Sequence, residues 1–251
     1  MKKMKIKHKI LLAFSLLLVV IIIGFLIYVN DVYKPSDDAM LAFNSNTIIT
    51  TENDDYISFI PKGNIKDTAY IFYPGGKVDP LSYSTYAKKI SEYGYPVYIA
   101  KMTFNLAIFS PNKADSIIED NPEINHFVIG GHSLGGVMAC SYICNNPDKL
   151  NGLILLASYP QSKNDLTDYD IEVLSLRGSN DGFVSDAKIE ESKIYLPIDS
   201  IFYEIKGGNH SQFGDYGFQK GDNKATIDKS TQLNETVEQS IIILDDIDKS
   251  N

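Results

Sequence analysis

Short apolar runs alternating with helical stretches restrict this chain to very few architectures. Residues 69–73, 96–100, 127–130, 153–157, 171–176 and 201–205 are nearly continuous apolar segments. That is the pattern of strands buried on both faces of a parallel sheet. Between them, residues 82–93, 113–119, 134–145 and 185–195 read as helices, and a terminal helix is expected around 226–244. Further upstream, 47–51 and 56–60 flank Glu52-Asn53-Asp54-Asp55 and read as a hairpin. Ser36 is placed to cap a brief helix through Phe43, with Asp37 and Asp38 in its first turn. The expected fold class is α/β: a mostly parallel, doubly wound sheet with helices on both faces. In such a sheet ligands bind beyond the carboxyl ends of the strands.

The amino terminus belongs to a different solvent. Lys2, Lys3, Lys5, Lys7 and Lys9 precede Ile10–Val29, twenty residues interrupted only by Ser15, Gly24 and Tyr28. As a helix this run spans about 30 Å, the thickness of a bilayer's hydrocarbon core. It exceeds the apolar stretch of a cleaved signal peptide, and residues 28–31 offer no small-residue cleavage pattern. The expectation is a retained single-pass anchor in the cell membrane. The lysine cluster is expected in the cytoplasm, which puts the rest of the chain outside. The expected division is a basic tail (1–9), a transmembrane anchor (10–29), a linker and extension (30–55) and one α/β domain (56–251).

Charge and cysteine content narrow the function classes. Of 23 basic residues five lie in the first nine positions, so residues 30–251 carry 18 bases against 32 acids. A surface this negative repels phosphate backbones, and no nucleic-acid partner is expected. Cys140 and Cys144 are too few for a disulfide scaffold or a zinc ribbon. At i, i+4 on one helix they would close almost no loop, so two buried thiols are expected.

The chemistry concentrates in Gly131-His132-Ser133-Leu134-Gly135-Gly136, which follows the strand at 127–130 and opens a helix. At such an elbow the serine is strained, and its neighbours two positions away must be small. Gly131 and Gly135 meet that need, and Gly136 lets the helix pack closely on the sheet. A serine hydroxyl needs a base, and the chain has four histidines. His8 precedes the apolar run. His126 is seven residues before Ser133, about 20 Å along an extended strand. His132 adjoins Ser133 and is expected to point elsewhere. His210 remains, in Gly207-Gly208-Asn209-His210-Ser211-Gln212, just beyond the strand at 201–205. A carboxylate to orient the imidazole is expected at Asp181, in Gly178-Ser179-Asn180-Asp181-Gly182, with Asp165, Asp168 and Asp170 as weaker candidates. An oxyanion would need two amides. One is expected from Leu134 and the other from Pro74-Gly75-Gly76-Lys77, with Gly76 first and Lys77 as the alternative.

In these residues and in the order Ser133, Asp181, His210 the chain resembles the α/β-hydrolase superfamily. More narrowly it is similar to a bacterial, often membrane-tethered branch related to dienelactone hydrolases. The resemblance runs from about Tyr56 to Ile241. It rests on Phe72-Tyr73-Pro74-Gly75-Gly76-Lys77-Val78-Asp79-Pro80, Lys101-Met102, Asn105-Leu106-Ala107, the elbow, Asp181, and Gly208-Asn209-His210-Ser211-Gln212-Phe213-Gly214. Dienelactone hydrolases use a cysteine where this chain has Ser133, so lactone specificity does not carry over. The resemblance implies a serine hydrolase of carboxylic esters or related acyl compounds, with no metal or cofactor. The expected partners are a small-molecule or lipid-like acyl substrate and, through the first helix, the membrane. A membrane-anchored acyltransferase with the same triad is the alternative, and a non-catalytic binding module on the same scaffold a further one. Only about a dozen residues join the strands at 153–157 and 171–176, which leaves little room for a lid. Phe104, Leu106, Phe109, Tyr159, Phe213 and Tyr216 fall in loops near the strand ends, as candidates for an acyl pocket or as peripheral core.

Overall fold

The computed structural model describes residues 6–249. The lysines at 2, 3 and 5 lie outside the described residues. The chain forms two compact units, one ending at Val32 and one beginning at Tyr33. The first is a single helix, α1 (Ile6–Asn30), with no charged residue after Lys9. It is long and apolar enough to cross a membrane, as an anchor or a signal sequence is.

The second unit is built on one eight-stranded sheet. Its strands are β1 (Ile48–Glu52), β2 (Tyr56–Pro61), β3 (Thr68–Tyr73), β4 (Val97–Ala100), β5 (His126–His132), β6 (Gly152–Leu156), β7 (Glu172–Gly178) and β8 (Ile201–Ile205). The spatial order is β1-β2-β4-β3-β5-β6-β7-β8. The β1–β2 and β2–β4 pairings are antiparallel and every pairing from β4 to β8 is parallel. The expected strands are thus present, each within about two residues of its expected bounds, and β1–β2 is the hairpin.

Side chains alternate across this sheet and feed two cores. Tyr70 and Phe72 of β3 join Ile57, Phe59, Val128, Ile154 and Leu174 on one face. That face is covered by α3 (Ser84–Glu92) and α7 (Lys229–Lys249), through Tyr86, Ile90, Ile243, Leu244 and Ile247. Ala69, Ile71 and Tyr73 point the other way, with Ile129, Leu153 and Leu155. There they meet α4 (Ala114–Asp120) and α5 (Leu134–Asn145), which contribute Ile117, Cys140, Tyr142 and Ile143. Cys140 is buried and Cys144 half-buried; both are free thiols. Burial pushes the Cys140 thiol up, so it stays protonated.

Two short helices complete the unit. In α2 (Asp37–Phe43) the Ser36 hydroxyl accepts the Ala39 amide at 3.3 Å, the expected cap. The last, α6 (Asp186–Ser192), is capped by Ser185 and ends in a 3-10 turn through Tyr195. Residues 157–171, between β6 and β7, contain turns and no helix.

Candidate active site

β5 passes into α5 with Ser133 alone between them. Ser133 has φ 53° and ψ −121°, a backbone conformation that costs on the order of 1–3 kcal/mol for a residue with a side chain. The surroundings over-determine it. Ser133 N donates to Leu156 O at 2.9 Å, and Ser133 O accepts from Gly136 N, Val137 N and the Ser158 hydroxyl. A Cβ on Gly131 would lie 2.5 Å from the Gly135 carbonyl carbon, and one on Gly135 only 2.0 Å from Tyr73 O. On Gly136 it would meet Ser158 at 2.6 Å. The turn therefore admits no larger residue at these three positions. Among the described residues, the hydrogen bonds of Ser133 in this turn all use its backbone.

The loop after β3 lies against this elbow. A Cβ on Gly76 would stand 3.1 Å from Leu134 Cδ2 and 3.6 Å from Leu134 Cβ, so the two residues expected to supply amides are neighbours. Leu134 opens α5, where the first amides have no acceptor within the helix. Within that loop the backbone amides differ in their partners. Lys77 N donates to Asn105 O at 2.8 Å and is spent on that contact. Gly75 N is spent as well, on the Tyr83 hydroxyl at 3.0 Å. That hydroxyl in turn meets His132 Nδ1 at 2.8 Å.

Asp181 and His210 meet beyond the ends of the neighbouring strands β7 and β8. Asp181 Oδ2 lies 2.9 Å from His210 Nδ1, and both side chains are about 1% exposed. Asp181 Oδ1 accepts the amides of Phe183 at 2.7 Å and Val184 at 2.8 Å, which fixes the carboxylate. A carboxylate only accepts, so Nδ1 is the donor in this contact. Phe183 stands edge-on to the imidazole, with ring centres 4.9 Å apart. Asp165 instead accepts the amide and hydroxyl of Thr167 in its own turn. Asp168 and Asp170 lie in the same β6–β7 connection, and neither occupies the Nδ1 position.

The loop that carries His210 is clamped from α7. Gln232 is buried, takes the Asn209 amide at 2.9 Å and returns its own amide to Asn209 O at 2.8 Å. His132 does not point away from the site as the sequence suggested. Its ring centre is 4.5 Å from that of His210 and it is fully buried. Burial, and then the neighbouring His210, hold its pKa well below the ordinary histidine value. Phe213 and Tyr216 pack at 5.9 and 6.4 Å from the same ring and are buried, as is Leu106. Of the aromatic pocket candidates, Phe104 and Phe109 are exposed and pair edge-to-face at 5.8 Å.

Sequence reasoning did not find Tyr83, Gln232 or Asp222. Tyr83 and Gln232 sit inside helical stretches, where an aromatic or a glutamine reads as core or surface. Asp222 lies in Lys220-Gly221-Asp222-Asn223-Lys224, which reads as a solvated loop. Yet Asp222 is 8% exposed and accepts from Ser211 and Gly182.

Similarity to known proteins agrees with this architecture. A predicted CIB-like hydrolase from Thermoplasma acidophilum superposes with a TM-score of 0.57 at 17% identity, covering 77% of this chain and 98% of its own. Est1E from Butyrivibrio proteoclasticus gives 0.56 at 13% identity, covering 80% of this chain and 100% of its own. An alpha-beta serine hydrolase homologue from Coxiella burnetii gives 0.54 at 16% identity, covering 78% and 97%. At these identities the likeness is one of fold. No curated protein matches the sequence. The sequence model of the Alpha/beta hydrolase family matches residues 69–234, from β3 through the His210 loop into α7 and more than half of the chain. This chain belongs to the alpha/beta hydrolase family.

Proposed function

We propose that this chain is a serine hydrolase, cleaving carboxylic esters or related acyl compounds through an acyl-serine intermediate. The observation that carries the reading is the buried Asp181–His210 pair at 2.9 Å, at the same sheet rim as the Ser133 elbow. Ser133 Oγ attacks the acyl carbonyl while His210 Nε2 takes its proton, and Asp181 stabilises the imidazolium that results. The amides of Leu134 and Gly76 receive the oxyanion, with the amino end of α5 adding partial positive charge. His210 then protonates the departing alcohol, and a water repeats the sequence to free the acid and restore Ser133.

The same reading keeps α1 as a membrane anchor. With Lys7 and Lys9 in the cytoplasm, the α/β unit lies on the outer face. One experiment tests both parts, using a membrane-impermeant fluorophosphonate on intact cells. The wild type labels covalently without lysis and Ser133→Ala does not, with turnover falling by a factor on the order of 10⁶. Equal labelling of the two chains removes the nucleophile assignment. Labelling that appears only after lysis reverses the orientation.

A further inference from the structure

Asp222 is a buried carboxylate in an exposed stretch: Gly221, Asn223 and Lys224 beside it are all exposed. Burying a charge is costly unless hydrogen bonds replace the lost water. Here four donors do so. Oδ2 takes the Ser211 amide at 2.8 Å and the Ser211 hydroxyl at 2.6 Å. Oδ1 takes the Gly182 amide at 2.9 Å and the Asn223 amide at 2.8 Å.

The origin of these donors gives the arrangement its meaning. Gly182 directly follows Asp181, and Ser211 directly follows His210. The residues preceding them are held by the same strap: Asn209 Nδ2 donates to Asn223 O at 2.7 Å and Asn180 Nδ2 to Lys224 O at 3.2 Å. Residues 222–224 therefore grip the chain on both sides of the acid and of the base. The fit is close, because a Cβ on Gly182 would lie 2.7 Å from Asn223 N and 2.8 Å from Asp222 Cα. The two loops also touch directly, through Asn180 N to Gly208 O at 2.8 Å and Gly207 N to Ser179 Oγ at 2.8 Å. Those bonds join the loops at their bases, next to the strands. Asp222 joins them at the functional residues themselves.

We propose that Asp222 is a positioning residue: one carboxylate ties the turn of Asp181 to the turn of His210 and sets the spacing of the acid–base pair. The inference rests on the serine-hydrolase reading above for its kinetic consequence, and on geometry alone for its structural one. Asp222→Asn keeps the shape but replaces one accepting oxygen with a donor, so either the Gly182 or the Ser211 amide loses its partner. Asp222→Ala releases both turns.

The test measures ester turnover per active site, with sites counted by fluorophosphonate titration. It also follows the proton held between His210 Nδ1 and Asp181, which resonates far downfield of the amides. In the full chain in detergent, Asp222→Asn lowers kcat per titrated site about tenfold and Asp222→Ala about a hundredfold, as expected when reacting groups are misplaced by about 1 Å. KM stays within about threefold and the downfield resonance broadens or disappears in both. A purely structural role gives a different result: fewer titratable sites and a lower Tm, with kcat per site and the resonance unchanged, and that overturns the proposal. If Asp222→Ala does not fold, Asp222→Asn decides alone. The resonance requires no substrate, so its persistence in Asp222→Asn overturns the positioning role even if the wild type proves to have no esterase activity.

Discussion

His132 precedes the nucleophile candidate in the chain and packs against His210 in space. Its Nδ1 meets the buried Tyr83 hydroxyl, whose own pKa burial raises, so the hydroxyl stays protonated. Enclosed in this way, His132 refuses a proton that the unfolded chain accepts. Its folded pKa is depressed, so below the ordinary histidine value of about 6.5 the unfolded state binds more protons and stability falls with pH. The contribution is complete above that value and is lost as pH drops through it. Urea unfolding of the full chain in detergent is expected to show a loss approaching about 1.4 kcal/mol per pH unit between pH 6 and 5. His132→Gln removes that share of the slope. Identical slopes in the two chains would mean that His132 is not the group responsible.

At the level of elements, α7 closes one face of the sheet and holds the His210 loop in place. Gln232→Met keeps a side chain of similar length there but strands the buried amide and carbonyl of Asn209. Each unsatisfied group costs roughly 1–3 kcal/mol, so a clear fall in Tm is expected, with the Asp181–His210 contact loosened as well. An unchanged Tm would show that the Gln232 clamp contributes nothing. The strands were legible because burial on both faces demands unbroken apolar runs, and the elbow because only glycine fits where Gly131 and Gly135 stand. α7 was less so. It begins at Lys229 because Asp228 accepts the Thr231 amide and the Ser230 hydroxyl, which ends the preceding loop there. It runs on through Lys249 although the tail is acidic and reads as solvated. Asp245 is held by Lys66 and Tyr95, Asp248 by Thr68, and Ile247 is buried. Those partners lie more than 140 residues away in sequence, beyond the reach of any local pattern. Asp222 escaped for the same reason, since its meaning comes from two loops that only the folded chain brings together.

Across the whole molecule, the α/β unit begins earlier than its first strand. The stretch from Asn30 to Pro35 reads as a linker, yet Tyr33 N donates to Lys77 O at 2.8 Å and Asp79 N to Tyr33 O at 3.0 Å. Tyr33 forms a parallel bridge with Val78 and packs on Tyr216, ring centres 5.5 Å apart. Nothing in the composition of these residues marks them for such a role. Pairing of this kind means that a truncated protein is sensitive to where it is cut. A fragment starting at residue 31 is expected to turn over a short ester as fast per titrated site as the full chain. One starting at residue 36 keeps every helix and strand of the α/β unit but leaves Lys77 and Asp79 without their neighbour, one residue from Gly76. It is expected to lose about tenfold in kcat, less than the 10²–10³ of a missing oxyanion donor, and equal rates would dismiss the effect. Cutting one residue ahead of the first helix of that unit would then act on a loop more than forty positions downstream, and a chain trimmed for solubility would be slow for reasons unrelated to the membrane.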